Sequence, residues 1–396
     1  MRILVLNQYF PPDTSATAYM AAAVVDKLAE GHNVTVLCGR PSYDPTERHP
    51  YYLYRRDRLG MVLVERVGSS TFPRFRMRQR IWNYLSYVAL SIPRALFTRT
   101  DLVLAMTDPP FQGIVGAFVA WLKRKPFVYN IRDLYPEMAL LGNIAKPSWW
   151  LRLWERLHRW ALGRASRVIV LGEDTRERII AKGIDPARVV VVRDGVNATP
   201  RVASQGHPVT QEIRCGFPLV VLQAGNLGFY GAWETVVKAA RMLDHEAVGF
   251  VFVGEGALRS QVEAAARGVD NIKFLPFRPP DQVPYVLAAG DLHLITIKHG
   301  LEGVVVPSKL YSTLAAGRPI LALTPEGSDA ARVVRRLGCG VVIDPDDPAA
   351  LAAIVRELAN DRPRLAQMGD RALQAAGDFA RDKELQLFRK VIEGAA

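Results

Sequence analysis

The sequence is poor in features that mark several large classes of protein. Its 396 residues include only three cysteines, Cys38, Cys215 and Cys339, whose wide spacing matches neither a metal site nor a redox motif. The most apolar stretches, residues 111–122 and 81–97, are too short or too interrupted by polar residues for a membrane span of about 20 residues. Met1 leads directly into an apolar strand pattern, without the charged segment of a secretory signal. We therefore expect a cytoplasmic protein that is soluble or peripheral to a membrane.

Common nucleotide-binding motifs are also missing. Gly254-Glu255-Gly256 lacks the third glycine of the dinucleotide fingerprint, because Arg259 occupies that position, and no Walker sequence occurs in the chain. These absences disfavour NAD-dependent chemistry and ATP hydrolysis. We accordingly predict no cofactor.

Positive charge is confined to one half of the chain. Residues 1–200 contain 29 Lys and Arg against 17 Asp and Glu, whereas the remaining residues contain 22 of each, so the net charge of +12 lies entirely in the first half. This imbalance indicates an N-terminal part that faces an anionic surface and a C-terminal part with an electrically mixed exterior.

Two basic segments are also rich in aromatic residues. Residues 73–100 contain no acid and six arginines: Arg74, Arg76, Arg78, Arg80, Arg94 and Arg99. Together with Phe75 and Trp82, they favour a helix at a lipid interface, although nucleic acid can bind similar residues. The second segment, Trp149–Arg164, has an apolar stripe at helical spacing, which favours a buried core face; the stripe is Trp150, Leu153, Trp154, Leu157 and Ala161. We therefore predict membrane contact through residues 73–100.

Short apolar runs alternate with helical periods along the chain, a pattern typical of parallel strands covered by helices. Seven strands are predicted up to residue 192, and six between residues 219 and 343. Residues 198–215 are rich in Gly, Pro, Ser, Thr and Gln and form the predicted linker. We expect an α/β protein with two Rossmann-like, doubly wound domains, residues 1–197 and 216–380, that face each other across a cleft. The last C-terminal helix is a candidate to pack back on the first domain.

A phosphate-binding feature is predicted at Pro307-Ser308-Lys309. A strand and a loop lead into a short helix with Ser308 as its N-cap, so backbone N–H groups and the Lys309 ammonium point to one spot. Helix N-termini carry about half a positive charge and bind anions. The expected ligand therefore contains a phosphate or diphosphate group.

Glycine-rich loops follow two other strands of the second half. Gly225-Asn226-Leu227-Gly228 and Gly254-Glu255-Gly256 let backbone amides approach a nucleotide closely, although either loop could be only a tight turn. Phe277 and Arg278, at the end of a further strand, offer an aromatic face and a cation to a nucleobase. The alternative is an aromatic core residue beside a solvated arginine.

Polar loops also follow strands in the first half. Arg132 can neutralise a phosphate, and Asp133 can orient a sugar hydroxyl or accept a proton. The alternative for Asp133 is a helix N-cap that pairs with its neighbour. Two further loops at the same predicted sheet edge supply the acceptor-binding candidates: Asp13, Thr14, Ser15, Thr107 and Asp108.

In this order, the motifs resemble those of the retaining glycosyltransferases of family 4, particularly bacterial enzymes that build O-antigen, capsule and other surface polysaccharides. The resemblance covers essentially the whole chain and rests on NQYFPPDTSAT, GHNVTVL, RDLYPE, VVVRDGVN, AGNLGFYGAWETVVKAA, FVFVGEGALRSQV, NIKFLPF and PSKLYSTLAAGRPILA. It implies the GT-B fold, with the acceptor bound mainly by the first domain and a nucleotide sugar, of UDP or GDP type, by the second. It also implies metal-independent transfer with retention, in which helix N-termini and cations stabilise the leaving group.

The chain departs from this family at several positions. Many members have a Glu-x7-Glu element, but here Ser312 stands at its second position and Val304 at its first, so Glu302 is the acidic candidate. Asn226 and Tyr230 stand near the positions of the usual diphosphate-binding Arg and Lys.

These departures make Lys309 the principal diphosphate cation, with Arg278 and Lys298 as helpers. A His that many relatives have near Arg132 and Asp133 is also missing. The predicted catalytic residues are Asp133, Arg132, Glu302 and Lys309. The predicted donor-binding residues are Gly225, Asn226, Tyr230, Gly254, Glu255, Gly256, Phe277, Arg278, Lys298, Pro307, Ser308, Lys309 and Leu310.

We predict a hexosyl-type glycosyltransferase at the inner face of a bacterial plasma membrane, with a lipid-linked or polysaccharide acceptor. An anionic membrane surface is an expected partner, and nucleic acid is not. One alternative is a sugar-nucleotide epimerase of GT-B type, although that class normally needs paired acid and base residues in the cleft. The other is a non-catalytic protein that binds anions or nucleic acid through the basic half.

Overall fold

The computed structural model describes residues 1–42, 50–73, 76–142, 146–196 and 206–396. These residues form two compact units. Unit 1 contains residues 1–193 and 384–396, and unit 2 contains residues 194–383. Both are α/β structures with a mainly parallel sheet, as the alternating pattern predicts.

The described part of unit 1 contains a sheet of eight strands. They are β1 (Arg2–Leu6), β2 (Asn33–Cys38), β3 (Tyr54–Leu59), β4 (Val62–Val67), β5 (Leu102–Ala105), β6 (Phe127–Asn130), β7 (Arg167–Val170) and β8 (Val189–Val191). Their order is β3-β4-β2-β1-β5-β6-β7-β8, and neighbouring strands are parallel except for the antiparallel pair β3 and β4. Strand order therefore reverses at β1 and β5, where ligands of such sheets usually bind.

Strand β3 is absent from the sequence prediction. Its sequence, YRRDRL, is mostly exposed and has no apolar alternation, because β3 is an edge strand. Its register comes from polar contacts with β4: Arg56 lies opposite Glu65 and donates a hydrogen bond of 2.9 Å to it.

Six helices precede residue 193 in the described part of unit 1. They are α1 (Ala16–Ala29), α2 (Met77–Phe97), α3 (Gln112–Lys123), α4 (Glu137–Leu141), α5 (Trp149–Arg164) and α6 (Glu173–Ala181). Within the described residues, no helix combines the length and the apolar character needed to cross a bilayer. Arg74 and Phe75, part of the predicted membrane segment, lie outside the described residues.

Unit 2 has six described strands, which are all parallel to their neighbours. They are β9 (Leu219–Ala224), β10 (Val248–Val253), β11 (Ile272–Leu275), β12 (Leu292–Thr296), β13 (Ile320–Leu323) and β14 (Gly340–Ile343). Their order is β11-β10-β9-β12-β13-β14, so the order reverses between β9 and β12. The helices are α7 (Pro208–Arg214), α8 (Trp233–Met242), α9 (Arg259–Ala265), α10 (Val283–Ala289), α11 (Lys309–Ala315), α12 (Asp329–Leu337), α13 (Pro348–Asn360) and α14 (Arg362–Ala375).

Helix α7 lies inside the segment that we predicted as a linker. Pro208 begins it at a position that needs no N–H, and Ile213 is fully buried against unit 2 strands. The prediction failed here because a helix of seven residues is too short to show a clear period. Residues 198–205 of that segment lie outside the described residues.

The final helix, α15 (Arg381–Glu393), carries the chain back into unit 1. Phe388, Val391 and Ile392 are buried in a core that also contains Val5 and Val36. This core lies on the face of the sheet that α1 covers.

Helices α2, α3 and α5 cover the opposite face of the unit 1 sheet. Along each strand, the side chains that point away from the core containing α15 face these three helices. Tyr129 of β6 approaches His158 of α5 edge-on at 5.7 Å, and Glu65 of β4 accepts hydrogen bonds from Arg94 of α2. Helix α3 packs against both α2 and α5. The three helices therefore form one layer.

Helix α5 contradicts the prediction that its whole apolar stripe is buried. Trp150, Leu153 and Leu157 are exposed, and only Trp154 and Ala161 of the stripe turn inward. The sequence period correctly indicated an amphipathic helix. It could not show which side of the helix faces the protein: Leu151, His158 and Leu162 are the buried residues of α5 that do so.

Candidate functional site

A cavity of about 180 Å³ lies in unit 2 at the carboxyl end of β9, beside His293 and Leu294 of the neighbouring strand β12, where the strand order reverses. It is smaller than the roughly 300–1,000 Å³ of typical ligand pockets and therefore corresponds to part of a site. Four predicted donor-binding residues line it: Gly225, Phe277, Arg278 and Lys309.

Lys309, the first residue of α11, contributes the central cation of this cavity. Its Nζ donates a hydrogen bond to Oε1 of Gln223, a buried residue of β9. Burial lowers the pKa of Lys309 to about 7. An ammonium that has lost much of its hydration gains more from a phosphate than a solvated one does, because the anion replaces the lost solvation.

The predicted Ser308 cap is not formed in this structure. Ser308 adopts helical dihedral angles of −59° and −23°, and its side chain makes no capping hydrogen bond with the described residues. Side-chain caps need extended backbone geometry at the N-cap, and Ser308 lacks it. The charge of Lys309, not a capped helix end, is therefore the strong electrostatic feature here.

The loops after β9 and β10 meet at close range. The φ angles of Gly225 and Gly254 are +122° and +147°, which L side chains rarely adopt. A Cβ atom at Gly254 would lie 2.1 Å from the Gly225 carbonyl oxygen. A Cβ atom at Gly256 would lie 2.5 Å from the Leu227 backbone. These glycines are therefore required by loop packing.

Phe277 and Arg278 form another wall of the cavity. The ring of Phe277 is 59% exposed, so it is not the core residue of the alternative interpretation. Arg278 donates a hydrogen bond of 2.5 Å to Glu212 of α7. Sequence reasoning missed this carboxylate because it lies in the predicted linker.

His293 is a further cavity residue that sequence reasoning missed. Its Nε2 donates to the Leu287 carbonyl at 2.9 Å, and burial lowers its pKa to about 4, so the ring is neutral at pH 7. Nothing in the local sequence of a buried strand marks such a residue. It helps to fix the cavity floor beside Lys309.

Other predicted donor-site residues do not line the cavity. Tyr230 donates to the Asn226 carbonyl at 2.9 Å, and Glu255 pairs with Arg259. The backbone N–H of Lys298 donates to the Tyr230 carbonyl, and the Lys298 side chain is exposed. The remaining members of this group are Gly254, Gly256, Pro307, Ser308 and Leu310, of which Leu310 has its side chain in the hydrophobic core. The predicted catalytic residue Glu302 does not line the cavity either.

In unit 1, several predicted acceptor residues hold the loops at the carboxyl edge of the sheet. The Asp13 carboxylate accepts from the Ser42 N–H at 2.8 Å, and Ser15 caps α1 by accepting from Ala18 at 3.0 Å. Thr107 donates to the Asn130 carbonyl and accepts from the Arg132 N–H at 2.8 Å. Thr14 is exposed beside them.

A second group of polar residues gathers at the same edge. Tyr135, which follows β6, has electrostatic interactions with Asp133, Asp108 and Arg80. Burial raises the pKa of Tyr135 well above its ordinary value, so it stays neutral. Asp133 and Asp108 thus both act on the same buried hydroxyl.

Arg80 lies differently from the neighbouring arginines of α2. Arg76 and Arg78 are exposed, whereas Arg80 is half-buried and donates to the Tyr84 hydroxyl at 2.5 Å. It also interacts with Tyr135. The inclusion of Arg80 in a membrane-facing group is therefore corrected: its guanidinium belongs to the loop edge.

Family models match most of the chain. A model described as "Glycosyl transferase 4-like domain" matches residues 14–195, and one described as "Glycosyl transferases group 1" matches residues 218–361. The chain belongs to the glycosyltransferases. The fold and family expected from the motifs are thereby confirmed.

The sequence and the fold are also similar to those of known proteins. The chain is 28% identical over 372 residues to a probable glycosyltransferase, WbjE, of Pseudomonas aeruginosa, covering 90% of the chain and 89% of WbjE. It is 25% identical over 376 residues to glycosyl transferase WcaI of Escherichia coli K12, assigned to colanic acid biosynthesis, covering 90% and 92%. The fold resembles the crystal structure of Alr3699/HepE of Anabaena in complex with UDP and glucose, with a TM-score of 0.72, 18% identity and full coverage of both chains. The chain therefore has the GT-B fold, with two Rossmann-like domains.

Proposed function

We propose that this glycosyltransferase moves a sugar, with retention of anomeric configuration, from a UDP- or GDP-sugar to an acceptor in bacterial surface glycan synthesis. The observation that carries the proposal is the cavity beside Lys309 at the strand-order reversal of unit 2. Support comes from relatives with roles in polysaccharide synthesis and from a similar fold that binds UDP and glucose.

In the proposed reaction, the bond between the sugar C1 and the diphosphate oxygen breaks, and C1 bonds to an acceptor hydroxyl oxygen. The hydroxyl proton leaves with the nucleoside diphosphate. Lys309 stabilises the charge that develops on the diphosphate, and Arg278 and Lys298 assist. Asp133 and Arg132 orient the acceptor, and Glu302 holds the sugar.

We also propose that no metal ion is needed. Among the described residues, no Asp or Glu lines the cavity, and carboxylates are the preferred protein ligands of Mg²⁺. Lys309 offers a positive charge in the same place. Activity is expected to survive EDTA, and a product with the same anomeric configuration as the donor should be seen by NMR.

The Lys309 assignment is tested by Lys309→Ala, with the exposed Lys273→Ala as a matched control. We expect kcat/KM to fall at least about 100-fold for Lys309→Ala, because a preorganised charge at the leaving group is lost. A thermal-shift screen with UDP, GDP, TDP and ADP should show the largest stabilisation with UDP or GDP, and Lys309→Ala should reduce it. Near-normal activity of Lys309→Ala would overturn the assignment.

We propose a lipid-linked acceptor and a position at the inner face of the membrane. Helix α2 supports this: Ile81, Trp82 and Leu85 are exposed, near the exposed Arg76 and Arg78. Arg76→Ser with Arg78→Ser should weaken binding to anionic vesicles. Unchanged binding would remove α2 from the membrane contact.

A further inference from the structure

Helix α5 carries a row of exposed apolar residues, called the stripe from here on, which differs from the apolar stripe predicted from the sequence. Its five members have exposed fractions between 38% and 69%: Trp149, Trp150, Leu153, Leu157 and Trp160. Residues 150, 153, 157 and 160 recur at helical spacing and share one side of the helix. Exposed apolar surface costs free energy in proportion to its area, so a stripe of this size indicates a binding surface.

Positive charge accompanies this stripe. Four exposed arginines lie on the same helix: Arg152, Arg156, Arg159 and Arg164. The single acid of α5, Glu155, accepts hydrogen bonds from Nζ of Lys182 at 2.8 and 2.9 Å and lies 3.5 Å from Nη2 of Arg159. Burial lowers the pKa of His158 to about 3, so this residue adds no charge at neutral pH. The outward side of α5 is therefore aromatic and cationic.

An open groove of about 1100 Å³ lies beside α5. Its walls combine Leu140, Leu151 and Trp160 with Arg152, Arg156 and Arg159. Glu137 and Glu155 also line it, but both form ion pairs with Lys182. Guanidinium groups above an apolar wall match an amphiphile whose headgroup contains a phosphate.

The neighbouring helices of the same layer also expose apolar side chains. Helix α3 exposes Trp121 and Leu122, and α2 exposes Ile81, Trp82 and Leu85. A broad, flat partner can contact several helices of one layer, whereas a peptide or a small ligand covers only one groove. A second copy fits poorly, because an isologous contact would set the α5 arginines against the same arginines.

We propose that α5 is the principal docking surface for an anionic phospholipid bilayer. The tryptophans and leucines of the stripe enter the headgroup region, and Arg152, Arg156 and Arg159 bind lipid phosphates in the groove. This inference rests on the proposed action on a lipid-linked acceptor. It extends that proposal by centring the membrane contact on α5 instead of α2.

The stripe is tested by the variant Trp150→Ser, Leu153→Ser, Leu157→Ser. Its control is Met61→Ser with Leu387→Ser, two exposed apolar residues outside the α2–α3–α5 layer. Co-sedimentation uses vesicles of equal parts phosphatidylglycerol and phosphatidylcholine. We expect the partition coefficient of the stripe variant to fall at least about ten-fold and that of the control to stay unchanged.

The charge is tested by Arg152→Gln, Arg156→Gln, Arg159→Gln. The matched control changes three exposed arginines of unit 2: Arg267, Arg335 and Arg336, each to Gln. Each cation near an anionic leaflet contributes about a five-fold gain in binding, so the α5 variant should lose well over ten-fold on the mixed vesicles. Added salt should reduce wild-type binding and have little effect on this variant.

Three results would overturn the proposal: wild-type protein that does not bind the vesicles, α5 variants that bind like wild type, or a wild-type dimer that the stripe substitutions abolish. Circular dichroism and UDP-induced thermal stabilisation are measured on every variant. Both should stay at wild-type values, because every substituted side chain is exposed and none lines the cavity beside Lys309. Vesicle binding without UDP or GDP stabilisation would support α5 docking while contradicting the proposed donor site.

Discussion

Lys309 combines two properties that rarely occur together in a lysine. It lines a cavity, and burial brings its pKa near neutrality. The amide of Gln223 holds the ammonium without neutralising it. The residue can therefore respond strongly to an incoming diphosphate.

Donor affinity is expected to fall as pH rises above about 7. The free protein loses the Lys309 proton in this range, so binding must then include proton uptake, with a slope approaching ten-fold per pH unit. Calorimetric titration of UDP between about pH 6 and pH 9 measures the slope. Lys309→Gln should remove it and Lys273→Gln should keep it; equal slopes for wild type and Lys309→Gln would contradict the assignment.

Gly254→Ala should destabilise unit 2 and weaken UDP binding. The new Cβ would collide with the Gly225 carbonyl, and φ of +147° strains any side chain, so we expect a loss of about 1–3 kcal/mol. Urea unfolding measures the change. Gly327→Ala is the control, because no described atom lies within 4 Å of its added Cβ, and it should change stability by less than about 0.5 kcal/mol.

Residues that follow strands were predictable, and residues that act across the fold were not. Gly225, Phe277 and Lys309 each follow or precede a recognisable element, and the ends of parallel strands meet at one edge of a sheet. His293, Glu212 and Arg80 reach their positions only through packing of distant segments. Their neighbours in sequence therefore carry no signal.

Elements with strong periods were predicted well, and marginal ones were not. All thirteen predicted strands are present within about one residue of their expected ends, because buried parallel strands are continuous apolar runs. The polar edge strand β3 and the short helix α7 lack such patterns. For α5 the sequence period was correct, but the face predicted to be buried was wrong. Periodicity shows that a helix has an apolar and a polar face and does not show what covers each face.

A buried charge connects strands to a helix in unit 1. Glu65 of β4, 1% exposed, accepts from Arg94 of α2 at 2.6 and 2.7 Å and from Arg56 of β3 at 2.9 Å. Burial alone would raise the pKa of Glu65, but hydrogen bonds from Arg94 and Arg56 lower it. Its contribution to stability is therefore full above its ordinary pKa and is lost as pH falls.

Glu65→Ala should cost about 2–3 kcal/mol, because the partly buried Arg94 loses two hydrogen bonds to the carboxylate. Chemical denaturation gives the free energy of unfolding. The control Glu357→Ala removes an exposed partner of Arg364 and should cost less than about 1 kcal/mol. A similar small loss for both variants would show that the Glu65 network is not stabilising.

At the scale of the whole molecule, the C-terminal helix α15 packs in unit 1, whose other residues, 1–193, lie far from it in the sequence. Deleting residues 384–396 should destabilise unit 1 by on the order of 5 kcal/mol, since it removes the buried side chains Phe388, Val391 and Ile392. Hydrogen exchange should show the loss in β1 and β2 and leave β9 and β10 protected. The exposed substitution Leu387→Ser should have no such effect, and unchanged exchange in β1 after the deletion would contradict the assignment of α15 to this core.

Because the chain leaves unit 1 after Arg193 and re-enters it at Glu384, unit 2 is a single uninterrupted insertion into its host. If unit 2 binds the nucleotide sugar, as we propose, the donor module is one continuous stretch of gene, whereas unit 1 needs both ends of the polypeptide. A recombination event with two breakpoints can exchange the donor module whole. On this proposed assignment, sugar preference can be inherited separately from acceptor recognition.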